Sequence, residues 1–550
     1  MGRFVSRLML VLGLPLGLSA QLPAIYPHAI VNAASFFAPG MPGGAIARGS
    51  IFTIFGTAIG PAKGVQVSSF PLQDNFNGVS ITLTQGATVV NAIPLYVSAS
   101  QINAVMPSNA PLGWTSLRVV FNNARSNPSP VYIVNDSVGI FSSTGTGIGP
   151  GAINNFVSAQ SQPANSLANS AKPGQVVTMF ATGLGPITTP DNQAPPTGSL
   201  TTPVEVWVGG VPATVSYSGR SPCCSGLDQI SFTVPAKAPS GCWAPVEIRT
   251  SHATVSNFVS MAIDPKGGAC SDASNPLSAA IVKGGSMGIL SLSRMTVHED
   301  VGVAAPVDLA EDFVKYSATK QTGGPFAFAP WVSTPPPGTC TVYPGISDFM
   351  DTGAVPADNA LTAGLNSGTQ LTISGPGGKQ TVSFQNGSSL ALGANLPLYN
   401  FPNKLFLQAG SYTITSDAGT DVGAVQATVT VPNQVTWTNR NNTTNVDRSQ
   451  PFTVSWSLGG SNQHMALLGV SSDLPANSSA IFFCMGSPDA SSITVPPEVL
   501  SAVPASQPDA LASKSVVYLM QSQPGTLKAT ALTATSSSMV YMIGKTVVFQ

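Results

Sequence analysis

The sequence predicts an all-β protein made of tandem antiparallel β-sandwich domains. Gly 54 and Pro 47 are numerous, and the apolar residues come in short β-branched runs such as Val204–Val208 and Val425–Val431. That pattern is typical of many short strands joined by turns. An internal repeat points the same way, because Gln229–Pro235 has a recognisable copy at Gln101–Pro107. The length of 550 residues suggests about three to five domains.

Charge is sparse and balanced. Charged residues make up 8% of the chain, Lys+Arg at 22 nearly cancel Asp+Glu at 23, and the net charge is -1. Nucleic-acid binding requires clustered Lys and Arg side chains. The composition therefore excludes a nucleic-acid partner.

The N-terminus has the pattern of a secretory signal peptide over residues 1–20. Arg3 and Arg7 supply the positive region, Leu8–Leu18 the apolar core, and Leu18-Ser19-Ala20 a cleavage site. The apolar run is too short to span a bilayer as an anchor. We therefore expect a secreted or cell-surface protein with no membrane insertion after signal removal.

The two copies of the repeat share their beginnings and ends. Gly49–Gly56 begins the first copy and Gly174–Ala181 the second, and each copy closes with a Ser-Asn pair, Ser126-Asn127 and Ser256-Asn257. Each offers about seven short strands, which predicts a sandwich of immunoglobulin-like size. In the second copy, Ile230–Val234 alternates apolar and polar residues, as a strand packed on one side requires.

The remainder of the chain has the same style of short apolar runs and turns. Asp308–Tyr316 is compatible with a short helix or an edge strand, and Val495–Leu500 with one helical turn. A Gly, Asp, Ser and Pro-rich stretch from Pro265 to Pro276 marks a boundary. The predicted domains are residues 25–140, 150–265, 280–432 and 433–550.

Four segments of the second copy form a recognisable pattern: Gly174–Phe180, Val208–Ala213, Gln229–Pro235 and Ser256-Asn257. With this pattern, residues 45–265 resemble the IPT/TIG branch of immunoglobulin-like domains. Through its Cys-Cys and Gly-Cys-Trp elements, the second copy also resembles an uncharacterised module of exported proteins from acidobacteria-type soil bacteria. Such modules imply binding, spacing or adhesion, and they bring no catalytic residues.

Six cysteines in an exported chain predict disulfides, and their spacing does not favour zinc. Relative to the cysteine-free first copy, the second carries an insertion at Arg220–Gly226 and one extra residue near Cys242. We expect four cysteines to meet at one pole of this domain, which would fix the junction to the third domain. The expected pairs are Cys224 with Cys242, Cys223 with Cys270, and Cys340 with Cys484, the last joining the two later domains.

Three groups of residues have the form of a catalytic or metal site. Ser286, in Gly284–Gly288, matches the G-x-S-x-G elbow, but an alternating strand pattern follows where the elbow requires a helix. His298-Glu299-Asp300 offers metal ligands, yet neighbours on a strand point to opposite faces. Asp417 and Asp421 fit either a calcium loop or an ordinary turn. We predict no catalytic, cofactor-binding or metal-binding residues.

Exposed aromatic side chains are the remaining candidates for ligand contact. Trp207 and Trp456 stand in apolar alternation and are expected in cores, whereas Trp331 precedes Pro335–Pro337 in an expected loop. Trp331 is therefore the candidate ligand-contact aromatic, with packing as the alternative.

We expect an exported, non-enzymatic binding or adhesion protein whose ligand is an unknown protein or glycan, with no cofactor. Two alternatives stay open. One is a carbohydrate-binding or polysaccharide-handling protein, because IPT/TIG-like modules also accompany starch-acting enzymes. The other is a structural spacer.

Overall fold

A computed structural model describes residues 22–250, 255–272, 274–303, 305–345, 361–384, 396–397, 399–400, 404–457, 463–473, 475–476, 478–508 and 515–550. The predicted signal peptide at residues 1–20 lies outside the described residues. The described chain is nearly all β and forms antiparallel sandwiches in tandem, so the predicted fold class is confirmed.

Repeat 1 is the sandwich formed by the first eleven strands. Its strand order is β1-β3-β8-β7-β6-β9-β11-β2, and β7 pairs with β6 through its first half and with β8 through its second. Buried residues such as Ile54, Ile81 and Ile102 fill the core between the two layers. The strands are β1 (Ala24–Asn32), β2 (Ile46–Ala47), β3 (Ile51–Thr57), β4 (Val65–Gln66), β5 (Asn75–Phe76), β6 (Val79–Gln85), β7 (Thr88–Val97), β8 (Gln101–Val105), β9 (Gly113–Phe121), β10 (Ala124–Arg125) and β11 (Ser129–Val134).

Repeat 2 has the same topology. Its order, β12-β14-β17-β16-β15-β18-β19, matches β1-β3-β8-β7-β6-β9-β11, and β16 divides its pairing between β15 and β17 as β7 does. The first of these strands precedes residue 150, so the unit begins earlier than predicted. The strands are β12 (Gly139–Ile140), β13 (Ile153–Asn155), β14 (Val176–Thr182), β15 (Val204–Val208), β16 (Val211–Arg220), β17 (Asp228–Thr233), β18 (Gly241–Thr250) and β19 (Val259–Ile263).

The terminal Ser-Asn pair of each repeat has a structural role. In both copies the Ser hydroxyl accepts a backbone N–H from the preceding strand. The amide oxygen of Asn127 accepts the backbone N–H of Ile25 at 2.8 Å, and that of Asn257 accepts the N–H of Ile140 at 2.7 Å. The pair thus ties the last strands of each sandwich to its first strand and satisfies backbone donors that its packing removes from water.

The C-terminal unit, residues 278–550, contains the remaining elements. They are α1 (Ser278–Lys283), β20 (Gly285–Glu299), β21 (Val307–Gln321), β22 (Cys340–Pro344), β23 (Leu361–Gly364), β24 (Gln370–Gly375), β25 (Gly378–Ser383), β26 (Leu396–Pro397), β27 (Tyr399–Asn400), β28 (Lys404–Leu405), β29 (Gly410–Ser416), β30 (Gln426–Val431), β31 (Thr436–Trp437), a 3-10 turn (Arg440–Asn442), β32 (Asn445–Val446), β33 (Phe452–Ser457), β34 (His464–Asp473), β35 (Ser478–Met485), β36 (Ser492–Val495), α2 (Pro497–Ser501), β37 (Val516–Pro524), β38 (Thr526–Lys528), β39 (Ala534–Thr546) and β40 (Val548–Phe549).

The predicted boundary between residues 280–432 and 433–550 is wrong. One sheet, in the order β22-β35-β34-β37-β39-β20-β21-β23, draws strands from both ranges, and β20 runs parallel to β39 along most of its length. A second sheet, β25-β24-β29-β30-β38, also combines them. Asp308–Tyr316 lies in β21, a strand paired on both sides, and the helical turn predicted near Val495–Leu500 is confirmed by α2.

The disulfides match the expectation in part. Cys340 pairs with Cys484, as predicted, although the bond joins neighbouring strands of one sheet, β22 and β35, and not two domains. The other expected pairs are wrong, because Cys242 bonds to Cys270 and Cys223 to Cys224. Strand β17 separates the loop after β16 from the start of β18, so the two cysteine groups lie at opposite poles of repeat 2.

The inserted segment Arg220–Gly226 contacts repeat 1, whereas this pole was expected to fix the junction to the third predicted domain. The buried guanidinium of Arg220 forms an ion pair with Asp228. Its Nη2 donates hydrogen bonds to the carbonyl oxygens of Gly49 in repeat 1, at 2.7 Å, and of Gly185 in repeat 2, at 2.5 Å. One side chain therefore links the two repeats.

We expect Arg220→Met to lower the free energy of unfolding by roughly 3–5 kcal/mol, because it leaves the buried Asp228 carboxylate unpaired. Adding Asp228→Asn should recover part of the loss, since the amide oxygen can still accept the Leu184 N–H, now 2.8 Å from the carboxylate. Urea unfolding of the wild type, the single variant and the double variant measures this. Arg125→Met, at an exposed site, is the control. An unchanged midpoint for Arg220→Met would contradict the assignment.

The disulfides should differ in their effect on stability. Cys242 and Cys270 are 28 residues apart, whereas Cys223 and Cys224 are adjacent. In the chain-entropy model, removal of the first bond costs roughly 3–4 kcal/mol, while a bond between neighbours restricts the unfolded chain little. Chemical denaturation of the Cys242→Ala/Cys270→Ala and Cys223→Ala/Cys224→Ala variants tests the difference. Equal losses would show that the adjacent pair has a larger structural role.

Candidate functional site

Repeat 1 carries an exposed pair of aromatic side chains, Trp114 on β9 and Tyr132 on β11. Trp114 is 64% exposed and Tyr132 is 45% exposed. The two residues are directly opposite in the strand register, and their ring centroids are 5.2 Å apart with an interplanar angle of 55°. We call this pair the aromatic shelf. Large aromatic side chains on an open surface mark a candidate contact site.

Strand alternation sets the direction of both rings. On β9, Thr115, Leu117 and Val119 point into the sandwich, so Trp114 points outward. On β11 the inward residues likewise flank Tyr132 on both sides. This period-2 pattern is readable in the sequence. The alternation directs both rings outward, whereas the prediction from sequence chose Trp331 for its place before Pro335–Pro337.

Hydroxyl groups lie on the same outer face, along β9 and on the β6 side of the shelf. Ser116 lies opposite Thr84 and Arg118 opposite Thr82 on β6. Arg118 donates a hydrogen bond to the carbonyl oxygen of Ser126 at 3.1 Å. Strands β6, β9 and β11 contain no Asp or Glu. We name this surface the repeat-1 face; its residues are Thr82, Thr84, Trp114, Ser116, Arg118, Pro130 and Tyr132.

A groove of about 410 Å³ adjoins Trp114 and extends to Ala476 of the C-terminal unit. Prolines supply much of its lining, and the exposed His28 lies at its side. His28 sits where the pairing of β1 with β3 is irregular, and its backbone has a φ of 55°. A left-handed residue at a strand irregularity re-aims its side chain, and such irregularities recur next to binding sites.

Repeat 2 has the same face in a buried form. Ala244 pairs with Met261 as Thr115 pairs with Val131, which makes Trp243 the counterpart of Trp114 and Ala262 the counterpart of Tyr132. Trp243 is only 2% exposed and Ala262 only 3%. One surface is thus open in the first copy and covered in the second.

The C-terminal unit provides the cover. The indole N–H of Trp243 points at the carbonyl oxygen of Ala327 at 3.4 Å, and Phe328 and Tyr343 belong to the same buried cluster. Trp331, the predicted ligand-contact residue, lies in this segment with its ring half-buried, edge-on to Tyr343 at 5.6 Å. Its loop position is as predicted, but its ring packs inside the junction between units.

A charged cluster borders the covered face. Glu247, the counterpart of Arg118, is fully buried, and burial, with a smaller contribution from the charge of Glu498, raises the pKa of its carboxyl well above the usual value. Arg249 pairs with Glu498 at 2.5 Å and lies over the ring of Trp207 at 4.2 Å. Trp207 is therefore a half-exposed stacking partner and not the core residue expected, whereas Trp456 is buried as predicted.

The catalytic and metal candidates occupy structural positions. Ser286 lies in strand β20, which follows helix α1, so its order of elements is opposite to the strand-then-helix order of a nucleophile elbow. The Nδ1 of His298 is 2.9 Å from Asp308 Oδ1, and Asp300 forms an ion pair with the buried Lys545.

Asp417 and Asp421 brace a turn. Asp417 accepts hydrogen bonds from the backbone and hydroxyl of Thr369, which lower the pKa of its carboxyl, and Asp421 accepts the backbone N–H of Asn366 at 2.8 Å. Among the described residues, no cluster of three or more His, Cys, Asp or Glu is arranged to hold a metal ion. No helix in the described part of the chain is long and apolar enough to cross a membrane.

Comparison with known proteins gives distant structural likeness only. No protein-family profile and no curated protein matches the chain. γ-CGTase from alkalophilic Bacillus clarkii is 10% identical over 50% of this chain and 35% of its own, with a TM-score of 0.16. SGBP-B of the Bacteroides ovatus mixed-linkage glucan utilization locus, solved with a mixed-linkage heptasaccharide, is 13% identical over 82% and 83%, with a TM-score of 0.13. Domains 5–6 of the S-layer protein SbsC are 10% identical over 44% and 98%, with a TM-score of 0.15. Scores this low assign neither a family nor a function.

Glu247 should make stability fall as pH rises. Its pKa is raised in the folded chain, whereas an unfolded Glu titrates near 4.3. Between these two pKa values the folded state holds a proton that the unfolded state has released. The contribution of Glu247 to the free energy of unfolding is therefore fully present at low pH, and it falls as the pH rises by at most about 1.4 kcal/mol per pH unit. We expect Glu247→Gln to flatten this decline and to exceed wild-type stability at neutral pH.

Urea unfolding from pH 4.5 to 8 measures the effect. Glu205→Gln, at an exposed position on the neighbouring strand β15, is the matched control and should follow the wild type. Parallel curves for the wild type and Glu247→Gln would show that Glu247 is ionised in the folded chain.

Proposed function

We propose that this chain is a non-enzymatic binding or adhesion protein that works outside the cytoplasm, with the repeat-1 face as its ligand-contact surface. The observation that carries the proposal is the contrast between two equivalent tryptophans. Trp114 is 64% exposed beside Tyr132, whereas Trp243 is 2% exposed beneath the C-terminal unit. A face that a duplicated domain buries in one copy and leaves open in the other is a contact surface available to a partner.

The chemistry of the cysteines supports a location outside the cytoplasm. All six form disulfides, which persist in oxidising compartments and are rare in the cytosol. The predicted signal peptide at residues 1–20 is the matching targeting signal. Kinship with IPT/TIG modules is part of the same proposal, since those modules imply binding, spacing or adhesion.

The rest of the chain then acts as a support for repeat 1. Arg220 fixes repeat 1 to repeat 2, and the Trp243 face fixes repeat 2 to the C-terminal unit. A binding surface built on strands held in this way is preorganised, which reduces the entropy lost on binding. A structural spacer would require the same junctions but would give the open shelf no role.

The proposal predicts that the mature chain binds a member of a panel of purified polysaccharides and secreted proteins, and that Trp114→Ala/Tyr132→Ala weakens this binding at least about tenfold. Loss of an interface aromatic that dominates binding costs about 2 kcal/mol or more. Surface-immobilised mature chain provides the measurement. Phe156→Ala, which removes an exposed aromatic of repeat 2, is the control and should bind like the wild type.

Two outcomes would overturn the proposal. Binding that survives in the double variant would place the ligand-contact surface elsewhere. A wild-type chain that binds no member of the panel would favour the structural spacer. The pair of rings contributes at most about 1 kcal/mol to the sheet, so the variants should remain folded, and thermal unfolding checks this.

A further inference from the structure

We infer that the repeat-1 face binds a neutral polysaccharide chain, with sugar rings stacked on Trp114 and Tyr132. The inference rests on the proposed function and names the ligand class of the same surface. Four properties of the face carry it: the shape of the shelf, its supporting contacts, the absence of acidic groups and the adjoining groove.

The covered face of repeat 2 shows what a polypeptide needs in order to dock here. The residue beside Trp243 is the small Ala262, which leaves room for a loop to lie over the indole and present the Ala327 carbonyl to its N–H. In repeat 1 the same position holds Tyr132, whose ring stands 5.2 Å from that of Trp114. Where repeat 2 has Ala262 and space for a loop, repeat 1 has Tyr132 and therefore two adjacent rings. Such a surface suits a ligand with flat apolar faces.

Sugar rings have such faces. The C–H groups on one side of a pyranose ring are apolar and weakly positive, and the face of an aromatic ring is negative. Trp and Tyr also present large contact areas while losing little conformational entropy, because each has two side-chain torsions. The backbone that carries Trp114 is fixed by Gln85, whose Nε2 donates to the carbonyl oxygens of Leu112 at 2.8 Å and Trp114 at 3.0 Å.

The surroundings of the shelf match the hydroxyl groups of a sugar. Thr82, Thr84 and Ser116 lie in two neighbouring strands on the same face. Each hydroxyl both donates and accepts hydrogen bonds, as the sugar hydroxyls do. Ser116 is two residues from Trp114 along β9, and Thr84 lies opposite Ser116, so these two hydroxyls are the ones next to a sugar stacked on Trp114. Thr82, opposite Arg118, is about 13 Å along the strand and would face a neighbouring sugar unit.

The charge of the face selects a neutral ligand. Strands β6, β9 and β11 contribute no Asp or Glu, and the one outward cation among them, Arg118, already donates to a backbone carbonyl. Phosphate or carboxylate groups are recognised by clusters of Arg and Lys or by bidentate pairs. A uronic-acid polymer or a nucleic acid would find two guanidiniums, those of Arg118 and of Arg125, which lies on β10 opposite Val120. Both lie toward the end of β9 away from Trp114, and β6, β9 and β11 place no Lys or Arg beside the shelf itself.

The groove extends the surface beyond one sugar unit. Its volume of about 410 Å³ lies within the range of about 300–1,000 Å³ typical of small-ligand sites. Trp114 belongs to both the groove and the shelf, so a chain stacked on the shelf can continue past His28 toward Ala476. The surface therefore fits a polymer better than a single sugar.

Isothermal titration of the full mature chain tests the inference. The probes are cellohexaose, laminarihexaose and mannohexaose as neutral chains, their monosaccharides, and polygalacturonate and heparin as charged polymers. We expect at least one neutral chain to bind, its monosaccharide to bind at least tenfold more weakly, and the charged polymers not to bind. Raising NaCl from 50 to 500 mM should change the affinity less than about twofold, since no ion pair is involved.

Variants place the ligand on the shelf. Trp114→Ala and Tyr132→Ala should each weaken binding at least about tenfold, Tyr132→Phe should retain it because the ring remains, and Phe156→Ala should have no effect. His28→Ala should reduce affinity for the hexasaccharide more than for the corresponding disaccharide, because His28 lies along the groove and not at the shelf.

Failure of the inference is distinguishable from failure of the proposed function. If no neutral chain binds, but binding to a protein or a charged polymer is lost in Trp114→Ala/Tyr132→Ala, the contact surface is right and the ligand class is wrong. If a neutral chain binds and the double variant still binds it, the sugar site lies elsewhere and both fail. If the wild-type protein binds none of the sugar probes and no protein of the panel, both the inference and the proposed function fail.

Discussion

Burial of the outer face of β18 and β19 is the contact on which the arrangement of this chain depends. The strands of a sandwich present alternate residues to the core and to the outside, so an outward tryptophan must be covered or left in water. Trp243 is covered by Ala327 and Phe328 of the C-terminal unit. Burying one large apolar side chain contributes up to about 3 kcal/mol, which is a large fraction of the net stability of a domain. The junction between repeat 2 and the C-terminal unit is therefore a hydrophobic cluster to which both units contribute buried side chains.

Repeat 2 is specialised at both poles for its place in the middle of the chain. The inserted Arg220–Gly226 segment sends Arg220 to the backbone of repeat 1, and the opposite pole carries Cys242, Trp243 and the bond to Cys270. Repeat 1 has the same strand order without these additions. The differences between the copies are thus concentrated where repeat 2 contacts its neighbours. The framework itself, including the Ser-Asn tie, is shared.

Local sequence patterns were enough to predict the strands and the sandwich fold of the two repeats. The C-terminal unit was predicted less well, because its sheets depend on pairing between strands far apart in sequence. Alternation and turn residues describe a strand but do not name its partner. The parallel pairing of β20 with β39 brings Met287 beside Ala534, and no pattern within either segment reveals a contact between residues so far apart in sequence. Without that contact, the sequence prediction divided one domain into two. The wrong disulfide pairs came from an error in strand direction. The prediction placed Cys223 and Cys224 at the same pole as Cys242 and Cys270, although β17 runs from one pole to the other between them.

The aromatic site was misplaced for a related reason. Trp331 was predicted to contact a ligand because it precedes a run of prolines in a loop. A loop residue is not necessarily exposed, however, and this loop is folded against another unit. The period-2 alternation on β9 and β11 did contain the needed information, since it directs Trp114 and Tyr132 outward whatever the rest of the chain does. What the alternation could not supply was the contrast with repeat 2, because the cover over Trp243 comes from residues more than eighty positions away.

The contrast also bears on why the open face keeps its aromatic residues. A tryptophan that stays mostly in water contributes little to folding through burial, because most of its apolar surface remains exposed. The exchange of Ala262 for Tyr132 enlarges the exposed apolar surface further. The cross-strand pair of rings adds at most about 1 kcal/mol to the stability of the sheet. Contact with a ligand that stacks on both rings would in addition bury the apolar surface that they leave in water. The same strand pair thus serves as an internal junction in repeat 2 and, on our proposal, as an external one in repeat 1.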